Sequence, residues 1–311
     1  MRDILRDSKI NFVENLRKYL IVLGAVFLAG VIMLAIFGVE LDINFKGGSR
    51  FSYSYVGELS TSDVEKLVAN ATGIKSVEIT ESTDFAGTAK RLVVSISEKD
   101  MDKDASDTIL KALNKEDPGA KAKLEEAVSV GASIAGTFFA KSLFAVLLAA
   151  ALVIVYIGIR FRKIGGFSAG IMALIALFVD VLVAFFSCVI FRLEIDSNFM
   201  AVVLTIFGYS LNDTVVIYDR IREERKLRPD DSIRSIVNDS INRTLGRTIS
   251  TSIATLLAVL TVVIVAEFFG LDTLRSFAIP MSAGIISGAL SSICLSGPLW
   301  VVWCEKHPAK K

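Results

Sequence analysis

Histidine occurs once in the 311 residues and cysteine three times, and neither falls between residues 40 and 141. That absence denies the segment a disulfide framework and a His/Cys metal cluster. It also lacks a Gly-rich phosphate loop and a nucleophile motif, so it reads as a binding or structural module rather than an enzyme. Net charge is nearly absent too: 34 basic and 33 acidic residues leave +1, which indicates no class of partner. Within six long stretches charge of either sign almost disappears.

What fills those stretches is apolar. The chain is 53% hydrophobic, with mean hydropathy +0.57, although 22% of its residues are charged, so the charges must be segregated. The apolar runs cover 19–39, 142–159, 166–191, 198–218, 249–269 and 277–303. A helix crosses about 30 Å of hydrocarbon in roughly 17–25 residues, so six transmembrane helices are expected. The first run follows eighteen mostly polar residues and lacks a clear A-x-A exit, which predicts an uncleaved anchor rather than a signal peptide.

Lys and Arg set the orientation. Residues 2–18 carry five, loop 160–165 three, loop 219–248 eight and tail 304–311 three, against Arg192 and Arg275 alone in the two short loops opposite. Nineteen against two places the N-terminus 1–18, the loop 219–248 and the tail 304–311 in the cytoplasm. Segment 40–141 then lies outside, on the far side of the membrane from the cytoplasm. It reads as one α+β domain. "SRFSYSY" (49–55) alternates as a strand. "TSDVEKLVANATG" (61–73) is a helix with Ser62 and Glu65 in capping-box spacing and Gly73 as its stop. "IKSVEIT", "AKRLVVSIS" and "AKLEEAVSV" are strands, and "DASDTILKALNKEDPG" is a second helix stopped by Pro118-Gly119. The order βαββαβ predicts a ferredoxin-like fold.

Two carboxylates interrupt the apolar runs: Asp180 in "ALFVDVLVAFF" and Asp213 in "GYSLNDTVVIYDRIREE" (208–224). Inserting a charge mid-span costs about 2.5–3.5 kcal/mol, so each should face the bundle interior or water. At helical spacing Thr205, Tyr209 and Asp213 share a face, with Gly208 and Asn212 beside it. Arg247, Thr251 and Thr255 fall on one side of the fifth span, as plausible partners. Gly284, Gly288 and Ser292 form a small-xxx-small row that implies tight packing and no chemistry of its own. Gly47, Gly48 and Gly131 sit in the linkers flanking the outer domain, where they would ease hinge motion. The residues alone thus point to a proton-coupled polar site in a six-helix bundle.

The stretches 208–224, "NFKGGSRF" (44–51), "NRTLGRTISTSIATLLAVL" (242–260) and "FFGLDTLRSFAIPMSAGIISGALSSICLSGP" (268–298) resemble the SecD/SecF family of protein-export membrane proteins, on its SecF side. The family's Val-Gly-Pro before the second span appears here as Val130-Gly131-Ala132. The resemblance implies a subunit of a SecD–SecF complex, related to the resistance-nodulation-division transporters, that uses the proton gradient to assist polypeptide export through the Sec channel (SecYEG). It implies SecD, that channel, the translocating polypeptide and the lipid bilayer as partners, with no nucleic acid. Protons would be the coupling ion, with no cofactor or metal. Asp213 matches the family's membrane-embedded aspartate, Asp180 a third-span acidic position and Arg247 a basic one, with Asn212 and Thr251 beside them. Half of a small-molecule exporter would favour a much larger outer domain, and a non-transporting scaffold would leave both aspartates without a reason to be acidic.

Overall fold

The computed structural model describes residues 10–55, 61–72, 77–83, 90–96, 103–116 and 121–307. Six helical stretches are long and apolar enough to cross a membrane. They are α1 (Leu16–Phe37), α5 (Ala132–Arg160), α6 (Gly166–Phe191), α7 (Ser197–Leu227), α8 (Ile233–Phe269) and the pair α9 (Asp272–Ser291) and α10 (Gly297–Lys306). A π-turn, Ser292–Ser296, joins the last two. Between α1 and α5 lie α2 (Ile43–Lys46), β1 (Gly48–Tyr55), α3 (Thr61–Thr72), β2 (Val77–Thr83), β3 (Lys90–Ile96), α4 (Lys103–Glu116) and β4 (Lys123–Val130).

The bundle interior is built by α6, α7 and α9. Leu177 and Ala184 of α6, Val202 and Ile206 of α7 and Ile285 of α9 are fully buried. Helices α1 and α5 lie outside them, with side chains such as Leu28, Ile36, Leu147 and Ile159 exposed, which suits lipid as the surrounding solvent. Close approach is bought by missing side chains at two places. A Cβ at Gly30 of α1 would enter the Phe186 ring, and one at Gly284 of α9 would clash with Ile206 Cδ1. The expected loop 219–248 is mostly helix. Helix α7 runs on to Leu227 and α8 begins at Ile233, because Arg220 and Arg228 neutralise the buried Glu224 one turn away on either side. Arg243 of α8 reaches the same carboxylate at 3.0 Å and closes the hairpin.

The two ends of the bundle are tied separately. At one end Asn238 accepts from the Phe12 backbone N–H at 2.7 Å, Arg160 pairs with Asp219 at 3.0 Å, and Arg234 with Glu305. At the other, Arg192 pairs with Glu40 at 2.8 Å, and Ser276 donates to Asp196 at 3.1 Å.

The outer elements form a four-stranded antiparallel sheet in the order β2-β3-β1-β4. Alternation along β1 and β3 puts Phe51, Tyr53, Tyr55, Leu92, Val94 and Ile96 on one face, where α3 and α4 cover them with Val64, Val68, Ile109 and Leu113. Each such side chain contributes about 1.5–3 kcal/mol on burial. The buried Tyr53 hydroxyl donates to the Ser106 carbonyl at 3.1 Å, and burial, helped by the Asp107 charge, pushes its ionisation well up. Strand β4 is an edge carrying Lys123, Glu125 and Glu126, charges that discourage further pairing. The Ser62 side chain and the stops Gly73 and Pro118-Gly119 lie outside the described residues.

The linker glycines sit in a packed junction. Asp42 N–H donates to the Ile195 carbonyl at 3.1 Å and Ile195 N–H to that of Glu40 at 2.8 Å, stitching the chain after α1 to the α6–α7 loop. Arg50 at the start of β1 bridges Asp42 at 2.7 Å and also pairs with Glu194 of that loop. Phe45 packs on Phe138 and Phe139 of α5. Gly47 adopts φ +78°, and a Cβ there would lie 3.1 Å from the Ala132 Cα, so both its conformation and its surroundings require glycine. Gly48 also has positive φ, whereas Gly131 opens α5 with nothing close to it.

Candidate functional site

Asp180 lies near the middle of α6 and is completely buried. Its two oxygens accept from three serines: Ser287 at 2.7 Å on Oδ1, Ser210 at 2.8 Å and Ser291 at 2.9 Å on Oδ2. Gly288 makes the room, since a Cβ there would sit 3.1 Å from the Ser210 Cβ and 3.6 Å from Asp180 Oδ2. No cation pairs with this carboxylate among the described residues, so hydroxyl dipoles alone replace its hydration.

Asp213 is buried on α7, but it is solvated differently. Its Oδ2 has no hydrogen-bond partner among the described residues, and Oδ1 has only a long 3.5 Å contact from the Asn212 amide. Among the described residues, Thr248 and Ser252 on α8 and Tyr209 on α7 also carry buried oxygens without a hydrogen-bond partner. Arg247 is exposed; its charge acts on Asp213 without a direct ion pair. A buried carboxylate oxygen without a donor is a place that can accept a proton or a water molecule.

The residues expected to act together are therefore divided. Asp180 belongs with Ser210, Ser287 and Ser291, and no hydrogen bond links it to Asp213 or Arg247 among the described residues. Thr251 returns its hydroxyl to the Arg247 and Thr248 carbonyls, and Thr255 to that of Thr251, so neither reaches across to a carboxylate. Thr248, one turn from Ser252, is an α8 hydroxyl left without a partner among the described residues. Sequence spacing did not select it because hydroxyls recur along the first turns of that span. The row Gly284, Gly288 and Ser292 was expected to pack without chemistry. Its packing is inside this chain, but Gly288 lies against Asp180 and Ser292 bonds Thr214 at 3.1 Å, so two of the three border the polar centre. Thr205, Gly208 and Asn212 form an exposed strip along α7. No group of three or more His, Cys, Asp or Glu side chains able to hold a metal occurs among the described residues.

Six spans around buried carboxylates, with a small α+β domain on one side, define a multi-pass membrane protein with an ionisable centre. Residues 109–306 match the family model of the protein export membrane protein SecD/SecF, C-terminal. The protein translocase subunit SecF of Alicyclobacillus acidocaldarius is 34% identical over 99% of this chain and 94% of that protein. Protein translocase subunit SecDF of Bacillus subtilis is 30% identical over 95% of this chain, which spans 38% of that longer protein. In structure, the chain is similar to SecDF of Thermus thermophilus, described as a translocon-associated membrane protein, with TM-score 0.82 and 26% identity. That match covers 96% of this chain and 39% of the other. The chain belongs to the SecD/SecF family of protein-export membrane proteins.

Proposed function

We propose that this chain is the SecF-type half of a SecD–SecF complex that uses the proton gradient across the bacterial cytoplasmic membrane to assist polypeptide export through the Sec channel. The observation that carries the reading is Asp213, a buried mid-span carboxylate with an oxygen unpartnered among the described residues and with the Arg247 charge acting on it. Asn212 and Thr251 border this centre, and Asp180 supplies a second buried carboxylate. Residues 198–218 and 249–269 are its membrane portions, with both termini in the cytoplasm. Docking of Phe12 on Asn238 supports that orientation, since it keeps the N-terminal segment at the same end as the basic 219–248 stretch.

A SecD-type partner covers the exposed strip Thr205–Gly208–Asn212. The existence of fused SecDF relatives supports this pairing, and so does the cost of leaving polar groups against lipid. The outer domain, 40–141, is of ferredoxin-like type, supported by its βαββαβ order and the 2-3-1-4 sheet. It binds the emerging polypeptide and swings about the junction at Gly47, Gly48 and Gly131. No cofactor, metal or catalytic step enters. Gradient-driven export in inverted vesicles tests the reading: Asp213→Asn keeps the shape of the side chain, cannot titrate, and abolishes the gradient-dependent component.

A further inference from the structure

Asp180 is not alone at the end of its serines. Ser210 Oγ lies 3.5 Å from Ser292 Oγ, and Ser292 Oγ lies 3.1 Å from Thr214 Oγ1. One turn further along α7, the Tyr218 hydroxyl accepts from Ser296 at 2.9 Å and donates to the Ala169 carbonyl at 3.2 Å. Ser210, Thr214 and Tyr218 thus repeat every four residues on one face of α7, and Ser291, Ser292 and Ser296 oppose them. The π-turn beginning at Ser292 is what lets the neighbours Ser291 and Ser292 both address the seam. Every hydroxyl in this file is buried. Outward of Asp180 the seam is closed by Ile206 on Gly284; at the opposite end stand the rings of Phe161, Tyr218 and Trp300, beside the Arg160–Asp219 pair.

We propose that Asp180 is a second proton-exchange group of this chain, connected to the cytoplasmic end of the bundle by the hydroxyl file Ser210–Ser292–Thr214–Tyr218–Ser296. This rests on the proton-coupled reading above. Each hydroxyl takes a proton on its oxygen as it releases its own to the next acceptor, so one proton moves and no bond other than O–H changes. Between Thr214 and Tyr218, one helical turn apart, a water molecule carries the step. The charged groups on the helices packed around Asp180 stand mostly toward their ends: Arg17 and Lys18 on α1, Lys141 and Arg160 on α5, Asp272 and Arg275 on α9, and Asp219 to Lys226 on α7. Asp213 on α7 is the nearest other carboxylate in sequence to the Ser210 contact, and the Tyr209 phenol is the neighbour of Ser210 in the chain. Burial first and the three-serine cage second, not a countercharge, therefore set the affinity of Asp180 for the proton.

The test uses the complex with its SecD-type partner, reconstituted in liposomes, comparing Thr214→Val, Thr214→Ser, Ser292→Ala and Asp213→Asn. Thr214→Val and Ser292→Ala lower gradient-driven export several-fold, Thr214→Ser restores it, and co-purification of the partner stays at the parent level. In pH-difference infrared spectra a protonated-carboxyl band disappears in Asp180→Asn and shifts in Ser287→Ala. Full export by Thr214→Val and Ser292→Ala while Asp213→Asn is inactive overturns the hydroxyl path and leaves the proposed function standing. A carboxyl band unaffected by Asp180→Asn also overturns it. Export indifferent to the gradient in the parent complex overturns both.

Discussion

Asp180 and Asp213 are both buried in the same bundle, one on α6 and one on the adjacent α7, and they are solvated in opposite ways: Asp180 receives three hydroxyl hydrogen bonds, whereas Asp213 leaves an oxygen with none among the described residues. A carboxylate caged by donors can trade a proton only through those hydroxyls; one with a free oxygen responds to whatever approaches it. The predictions below follow from that difference and from the packing that maintains it.

Removing a serine donor should destabilise the bundle. Ser291→Ala takes one of two bonds from Asp180 Oδ2, and a hydrogen bond to a charged group contributes about 1.5–3 kcal/mol. Thermal unfolding in detergent checks this, and Ser291→Thr, which keeps the hydroxyl, should lie closer to the parent. A parent-like melting temperature for the alanine variant would show that the bond contributes little.

Gly284→Ala should cost about 1–3 kcal/mol by overpacking, since its new methyl meets Ile206 Cδ1 and lies 2.7 Å from Cγ1. Ile206→Val removes Cδ1, so the double variant should recover part of the loss. Independent, additive losses would mean that the two positions do not share that contact.

Much of this architecture was readable from the chain. Charge segregation gave six spans because hydrocarbon tolerates only segments that satisfy their own backbone. Alternation along 49–55 and 89–97 gave the sheet because one face had to be buried. The polar centre was readable only to its carboxylates. Ser210, Ser287 and Ser291 look like any small residues of a membrane helix, and their convergence depends on how closely α9 approaches α7 at Gly284 and Gly288. Arg247 and Thr251 looked like direct partners because helical spacing says which residues share a side. It does not say that Thr251 will bond to its own backbone.

The junction at Arg50 should govern how freely the outer domain moves. Arg50→Ala leaves the buried Asp42 without its cation and unties Glu194. Amide exchange in peptides covering 40–48 and 192–197 should quicken, because the Asp42–Ile195 and Ile195–Glu40 bonds open more often, while that of α6 and α9 stays slow. Unchanged exchange would show that the backbone stitching holds without the ion pairs.

The exposed strip on α7 predicts an occupant. A cysteine at Thr205 should react with a lipid-soluble reagent when the chain is expressed alone and become protected when a SecD-type partner is co-expressed. Equal reactivity in both would place the partner elsewhere.

The central claim is that Asp213 must gain and lose a proton. Its most direct measurement is gradient-driven export in inverted vesicles carrying the assembled complex with Asp213→Asn. The account predicts normal insertion and co-purification with the partner, gradient-independent export at the parent level, and loss of the gradient-dependent component. Undiminished gradient-driven export by the assembled Asp213→Asn complex would contradict it.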